Sequence, residues 1–176
     1  MHEVQALTRL VEPLTTARFS ALYGVWYPHA RDDRSFVQAL LNQCRATVLA
    51  MREIRQVNPA ARLIQTDDLG KTYSTEPVRQ AAAFYNERRW LSWDLLCGIV
   101  NEQHSLWPYL VDIGIEVAEL RWFADNPCPP DVIGVNHYVT GERWLDDRPE
   151  HYPARYRGVV GDVPIADIEA ARAFAT

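Results

Sequence analysis

Residues 31–68, RDDRSFVQALLNQCRATVLAMREIRQVNPAARLIQTDD, predict one long helix and the short strand that follows it. Apolar residues recur here at spacings of three and four, which places them on one helical face; they are Val37, Leu41, Cys44, Val48, Met51 and Ile54. Asp32 or Asp33 can cap the start of this helix. Asn58 and Pro59 end it, because a residue before proline avoids the α region.

The strand after this helix is RLIQT at residues 62–66, and the Asp67-Asp68 pair that follows it is typical of a turn. Similar patterns predict the rest of the chain. The further predicted elements are a strand at residues 7–11, a second helix from Thr75-Glu76-Pro77 to Leu96 stopped by Gly98, helices at 105–112 and 116–125, a strand from Val132, a long loop at 140–161 and a last helix at 165–174.

This alternation of strands and helices, with connections long enough for parallel crossovers, indicates an α/β architecture. A parallel sheet is covered on both faces, and three strands do not close a barrel. A complete (β/α)₈ TIM barrel needs about 250 residues, whereas this chain has 176. We therefore expect a single domain over residues 1–176 that corresponds to the middle of a larger barrel.

Composition excludes several classes of protein. The chain is 48% hydrophobic with a net charge of −5, which argues against disorder and against a general nucleic-acid binder. It contains neither a run of about 20 apolar residues nor a secretory signal. Lys71 is the single lysine, Asp67 stands where a short-chain reductase has its tyrosine, and no glycine-rich phosphate loop is present.

Cysteine and histidine spacing carries less information. Cys44, Cys97 and Cys128 lie far apart without a C-x-x-C motif, which is typical of reduced, buried thiols in a cytoplasmic protein. The five histidines show neither H-x-H nor H-x-x-x-H spacing, so we expect no metal site.

Polar residues follow each predicted strand. They are Glu12-Pro13 after the first, Asp67-Asp68 after the second and Asn136-His137-Tyr138 after the third. Each group has an ordinary structural explanation as a solvated loop, a turn or a partner for backbone groups. In (β/α)₈ enzymes, however, the carboxyl ends of the strands form the active-site face. Their convergence at three strand ends favours a functional interpretation.

Two of these strand-end segments and one predicted helical segment resemble glycoside hydrolase family 1, the β-glucosidase family. VEPLTTARF at residues 11–19 is similar to the N-E-P segment of the fourth barrel strand, and DVIGVNHYVT at 131–140 is similar to the sixth-strand signature. Between them, NERRWLSWDLLCG at 86–98 resembles the family's N-R-W-F-L-D-P-L-x-x-G helix. The resemblance covers about residues 11–145 and implies a partial (β/α)₈ barrel, from about its fourth to its sixth strand.

The resemblance also implies roles for single residues. Glu12 matches the general acid/base, which protonates the leaving oxygen and later deprotonates water. Tyr138 matches the tyrosine that orients the nucleophile, and Asn136 would shape the same substrate-binding pocket. His137 is interpreted as strand packing. The family chemistry is hydrolysis of β-linked O-glycosides with retention, and it implies neither a metal nor another cofactor.

Two departures from the family pattern affect activity. Val11 replaces the asparagine that contacts the sugar 2-hydroxyl, and no T-E-N-G-like segment with the nucleophile follows Tyr138. We therefore expect a truncated chain with weak activity or none. One alternative is a non-catalytic carbohydrate-binding or assembly fragment. Another is part of a fusion with a dTDP-4-dehydrorhamnose-reductase-like domain, which occurs in a divergent bacterial branch of the family.

The expected partners follow from this interpretation. They are a carbohydrate or glycoside substrate and, through self-association or a completing chain, a second polypeptide. Neither nucleic acid nor a membrane is expected.

Overall fold

The structure is a computed structural model that describes the backbone of residues 6–8 and the whole of residues 12–174. Its residues divide into two compact units. The first contains the described residues up to Asp67 together with Trp90–Val135. The second contains Asp68–Arg89 and the described residues from Asn136 onward. In the described part of the chain, no helix combines the length and apolar character needed to cross a membrane.

Strands and helices alternate along the chain. In order they are β1 (Ala6–Thr8), α1 (Pro13–Ala17), α2 (Asp33–Val57), β2 (Arg62–Asp68), β3 (Thr72–Ser74), α3 (Arg79–Arg88), α4 (Leu91–Leu96), α5 (Trp107–Asp112), α6 (Val117–Asp125), β4 (Val132–Asn136), β5 (Arg143–Asp146), β6 (Arg157–Val160), β7 (Val163–Glu169) and α7 (Ala170–Ala173). A π-helical turn, Arg18–Leu22, follows α1. Three 3₁₀ turns lie at Glu76–Val78, Pro149–His151 and Ala154–Tyr156.

The sheet of the first unit has the order β1–β2–β4. Strands β1 and β2 are parallel, with Ala6 opposite Arg62. In β2, Leu63, Gln65 and Asp67 are buried on one face, while residues on the other face are half-buried or, at Arg62, exposed. This alternation is the period of a strand whose two faces meet different surroundings. The alternating strands and helices confirm the predicted α/β class.

Helix α2 forms as the sequence predicts. The side chain of Asp32 accepts a hydrogen bond from Ser35 N at 2.8 Å, and the helix ends at Val57, directly before Asn58-Pro59. Most of the predicted apolar face is buried, and Phe36 and Leu40 join it. Burying this face supplies most of the stability of the helix, because isolated helices are marginal in water. The predicted helices at 105–112 and 116–125 correspond to α5 and α6.

The predicted second helix, from Thr75 to Leu96, is wrong as one element. It consists of a 3₁₀ turn, then α3, then α4, with a break at Arg89-Trp90. Helix α3 belongs to the second unit, whereas α4 lies in the first unit and buries nearly every side chain there. The break therefore falls where the chain leaves one unit and enters the other. Gly98, with φ of +70°, follows the C-cap of α4 as predicted.

The sheet of the second unit was not predicted. Its order is β3–β5–β7–β6; β3 and β5 are parallel, and β7 is antiparallel to both β5 and β6. The predicted long loop at 140–161 therefore contains β5 and β6, and the predicted last helix at 165–174 is mostly β7. A two-residue turn at Gly161-Asp162 joins β6 to β7, and Gly161 has φ of +57° there. Val78, Ala82, Leu145 and Ile165 form the core under this sheet.

Candidate functional site

Glu12 adopts an unusual backbone conformation at the start of α1. Its φ of 57° and ψ of 63° lie in the left-handed region, and Pro13 follows it. Its N–H donates to Thr66 O at 3.1 Å, and its carbonyl accepts from Thr16 N at 2.8 Å. These two bonds fix Glu12 between the carboxyl end of β2 and the first turn of α1. Its half-buried side chain makes no capping hydrogen bond to α1.

This conformation is strained for a residue with a side chain. A left-handed conformation costs an L-residue about 1–2 kcal/mol, and the proline after Glu12 restricts the backbone further. Such strain persists where the surrounding structure over-determines it, and it concentrates at functional sites. Glu12 is thus held at a strand end at an energetic cost. The sequence pattern Glu-Pro predicts a loop here, but it does not predict the sign of φ.

Asp67 is a buried acidic residue of the first unit, and it lies within β2 instead of in a turn after the strand. It is the sixth residue of β2 and has no exposed surface. Oδ1 accepts from Thr15 N at 3.3 Å and Thr15 Oγ1 at 3.4 Å, while Oδ2 accepts from Leu14 N at 3.2 Å and Ser92 Oγ at 2.7 Å. Arg18 Nη2 donates in turn to Thr15 Oγ1 at 3.0 Å.

The environment of Asp67 changes its ionisation. Burial raises the pKa of Asp67 to about 6, although hydrogen bonds from Ser92, Leu14 and Thr15 and the charge of Arg18 act in the opposite direction. Desolvation disfavours the charged carboxylate, and this cost exceeds the stabilisation by its donors. A carboxyl group that titrates near neutral pH in the interior is a candidate for a functional role.

Asn136 and Tyr138 lie in the second unit, at and just after the end of β4. The carbonyl of Asn136 accepts from Leu69 N at 3.4 Å, and the carbonyl of Tyr138 accepts from Gly141 N at 2.9 Å. The side chain of Tyr138 is 51% exposed. The structure therefore places both on one strand-end segment. That they share a pocket with Glu12 stays a prediction.

Next to this segment is a groove of about 530 Å³ in the second unit. Tyr73, His137, Glu142 and Phe174 are among its lining residues. The interpretation of His137 as strand packing is therefore wrong, because its side chain is exposed and lines the groove. Aromatic rings and a carboxylate on one groove suit a ligand with both an apolar face and polar groups. Sequence reasoning missed Tyr73 because it did not predict strand β3, and it missed Phe174 because it did not predict the sheet beside α7.

Asp146 organises the loop after β5. It accepts from the backbone N–H, Nε and Nη2 of Arg148, from Tyr152 OH at 2.9 Å and from Trp144 Nε1 at 3.3 Å. The Arg148 guanidinium group, with Tyr152 and Trp144, holds the pKa of the Asp146 carboxyl well below its usual range. Five donor atoms on one carboxylate indicate a structural role for Asp146.

Exposed aromatic residues follow the π-helical turn of the first unit. Val25 N and Trp26 N both donate to Phe19 O, at 2.8 and 2.9 Å, and the rings of Phe19 and Trp26 meet edge to face at 5.0 Å. Tyr27 is 85% exposed, and Tyr23 is also exposed. Aromatic rings held rigidly at a surface can stack on the flat apolar face of a sugar ring. We call Tyr23, Trp26 and Tyr27 the aromatic loop.

The described residues contain no group of three or more His, Cys, Asp or Glu side chains that could hold a metal ion. Cys44 and Cys128 are buried free thiols, and burial raises the pKa of each. Neither thiol is therefore activated as a nucleophile by its surroundings.

Comparison with known proteins gives a structural likeness. No family model matches the sequence, and a search of curated proteins finds no match. A β-glucosidase from Thermotoga maritima in complex with azafagomine superposes with a TM-score of 0.66 at 18% identity, over 81% of this chain and 32% of that one. A Thermotoga maritima family 1 glycoside hydrolase complexed with a cyclophellitol analogue gives 0.66 at 18%, over 92% and 34%.

This likeness concerns the fold. The chain spans about a third of the length of these solved structures. Identity of 18% leaves activity and substrate open, because one fold hosts many functions. The chain therefore has an α/β fold that matches part of a family 1 glycoside hydrolase barrel.

Proposed function

We propose that this chain provides the acid/base portion of a β-glycosidase-type barrel, with Glu12 as the general acid/base. The observation that carries this proposal is the strained, left-handed Glu12 at a strand end, in a fold that matches part of β-glucosidase barrels. In a (β/α)₈ enzyme the strand ends carry the catalytic groups. A carboxylate held there at an energetic cost fits a catalytic role better than that of a solvated loop residue.

The chemistry assigned to Glu12 is proton transfer. Its carboxyl group donates a proton to the glycosidic oxygen as the bond to the anomeric carbon breaks, and the carboxylate later accepts a proton from water. This assistance is worth about 10²–10⁴-fold in rate. Asn136 is proposed to contact the sugar, and Tyr138 to orient the partner carboxylate. These roles follow the family resemblance.

Retention requires a second carboxyl group about 5–5.5 Å from the first. The sequence after Tyr138 lacks the motif that carries it in the family. We therefore propose that the chain by itself does not complete the retaining cycle. Hydrolysis of β-O-glycosides is assigned to a complete barrel, and the predicted association with a reductase-like domain stays a prediction.

An external anion can take the place of the nucleophilic carboxylate, so the role of Glu12 as a proton donor can be tested in this chain. Azide can attack the anomeric carbon from the face opposite the aglycone, while Glu12 gives its proton to the leaving oxygen. The products are an α-glycosyl azide and the free alcohol. We expect azide-dependent release of a weakly acidic phenol from a phenyl β-glucoside, and a loss of about 10²-fold or more in Glu12→Gln.

The leaving group provides the internal control. A dinitrophenyl glycoside needs no proton on its leaving oxygen, so Glu12→Gln should affect its azide-dependent release little. Glu53→Gln, at an exposed position on α2, is the matched acidic control. Equal release of the weakly acidic phenol by wild type and Glu12→Gln would refute the role of Glu12.

Carbohydrate binding without catalysis is a second candidate, favoured by the aromatic loop. Its three exposed rings lie within five residues of the chain, and exposed apolar residues that are grouped, unlike single ones, mark binding surfaces. On this proposal, a cello-oligosaccharide quenches tryptophan fluorescence, Trp26→Ala weakens binding at least tenfold, and Glu12→Gln leaves it unchanged. Binding that is indifferent to Trp26→Ala would exclude the aromatic loop as the binding surface.

A further inference from the structure

The first turn of α1 is capped from a distant part of the chain. The first N–H groups of a helix have no partner within the helix, and the residue before it usually accepts from them through its side chain. Glu12 occupies that position but makes no side-chain cap. Instead, Leu14 N and Thr15 N donate to the two oxygens of Asp67, at 3.2 and 3.3 Å.

We propose that Asp67 is a positioning residue for Glu12: it caps α1 from strand β2, and so fixes the left-handed backbone of Glu12 while the Glu12 carboxyl group does not serve the helix end. This inference rests on the proposed role of Glu12 in catalysis. Thr66, the neighbour of Asp67 on β2, accepts the hydrogen bond from Glu12 N at 3.1 Å. Two consecutive residues of β2 thus hold both sides of the Glu12-Pro13 step.

The donor arrangement requires a carboxylate at position 67. Each oxygen of Asp67 accepts one backbone N–H, from Thr15 on Oδ1 and from Leu14 on Oδ2. An asparagine amide has one acceptor oxygen and one donor nitrogen. In either orientation, its NH₂ group would face a backbone N–H that cannot turn away. Asp67→Asn therefore disrupts the cap although it preserves the shape of the side chain.

Two further groups support the carboxylate. Ser92, fully buried on α4, donates to Oδ2 at 2.7 Å, and Arg18 donates to Thr15 Oγ1. The positive charge of Arg18 lowers the pKa of Asp67. The charge of Asp67 in turn adds to the effect of burial in raising the pKa of the Cys44 thiol. The Ser92 bond can accommodate a proton on Oδ2, because a hydroxyl group can accept as well as donate. The backbone donors have no such freedom.

The test measures the geometry of Glu12 in the full chain by NMR. A left-handed residue has a short distance between its amide proton and its own Hα, which gives a strong intraresidue NOE. We expect this NOE at Glu12 in the wild type and its loss in Asp67→Asn. Asp68→Asn is the matched control, because this neighbouring aspartate of β2 accepts its hydrogen bond from Gly70 N. A folded Asp67→Asn that keeps the NOE would overturn the proposal.

Ser92→Ala provides a second variant that keeps the carboxylate, in case Asp67→Asn does not fold. Losing one hydrogen bond to a charged group should raise the midpoint at which the Leu14 and Thr15 amides titrate by about one pH unit. If Asp67 positions Glu12, the Glu12 amide should titrate at the same midpoint as the Leu14 and Thr15 amides. This agreement should hold in the wild type and, at the higher midpoint, in Ser92→Ala. A Glu12 amide that does not follow this titration would contradict the proposal.

These outcomes are separable from failure of the proposed function. The NMR readouts need no glycoside, so positioning can hold even if azide-dependent release does not depend on Glu12. Conversely, release that depends on Glu12 but is unchanged in Asp67→Asn would keep the function and overturn the positioning role.

Discussion

The Ser92 hydroxyl lies 2.7 Å from Asp67 Oδ2 and donates a hydrogen bond to it, which ties helix α4 to the carboxyl end of strand β2. Both side chains are fully buried in the first unit. A buried carboxylate without partners would be strongly unfavourable, so each of its donors stabilises the arrangement. The same burial makes the stability of the chain depend on pH.

Asp67 should make the free energy of unfolding decrease as the pH rises from about 4 to about 6. Its folded pKa of about 6 exceeds the ordinary 3.8, so the folded chain binds more protons than the unfolded chain in this window. The loss is up to about 3 kcal/mol. Urea unfolding across this range measures it, and Asp67→Asn should lack this decrease. An identical pH slope in the variant would contradict the prediction.

Asp146 should give the free energy of unfolding the opposite pH dependence. Its folded pKa is lowered, so the stability it contributes is present above the ordinary value near 3.8 and is lost as the pH falls below it. Asp146→Asn should destabilise the second unit by about 1–3 kcal/mol at pH 7, because Arg148 loses its carboxylate partner. Hydrogen exchange of β5 and β7 amides reports this unit. Asp147→Asn, next in the chain, should have little effect, and equal effects would contradict the prediction.

Glu12→Gly should stabilise the chain, although it removes the proposed acid/base. Glycine adopts a left-handed conformation without the steric cost that Glu12 bears. After the larger entropy of glycine in the unfolded chain, we expect a gain of about 0.5–1 kcal/mol in urea unfolding. Glu12→Gln keeps the strain and should be neutral. Destabilisation by Glu12→Gly would show that the side chain itself holds the structure.

Gly70→Ala should destabilise the second unit by about 1–3 kcal/mol. A Cβ at position 70 would overlap the backbone carbonyl of Gly141, which has no flexible end to move aside. Gly158 on β6 is the matched control, because a Cβ there meets no atom within 4 Å. Thermal unfolding of both alanine variants compares them directly. Equal melting temperatures would contradict the close approach.

The chain should self-associate through β4. Ile133 and Val135 on this strand are 54% and 59% exposed, and β4 lies at the edge of its sheet among the described residues. Unpaired edges with apolar side chains favour association. We expect sedimentation velocity to show concentration-dependent oligomers, reduced in Ile133→Thr/Val135→Thr. Val57→Thr removes a 90% exposed valine from a helix end and should change nothing. A monomeric wild type would contradict the prediction.

Part of the fold follows from the sequence because the signals are local. The apolar face of α2, its cap at Asp32 and its end before Pro59 depend on residues within a few positions of one another. The strand β2 and the stop at Gly98 are of the same kind. The sheet of the second unit gave no such signal, because the partners of β7 lie at residues 143–146 and 157–160. The Gly161-Asp162 pair is a local signal that could have predicted the hairpin of β6 and β7.

The sequence by itself determined the α/β class, the long helix and the three strand-end segments that contain Glu12, Asp67 and Asn136. It also determined the resemblance to a β-glucosidase barrel, because motifs are patterns along the chain. Only the tertiary structure decided that Glu12 is left-handed and that Asp67 is buried as the cap of α1. The physical reason is that burial and capping here depend on donors from residues 14, 15 and 92, which meet Asp67 only when the chain is folded.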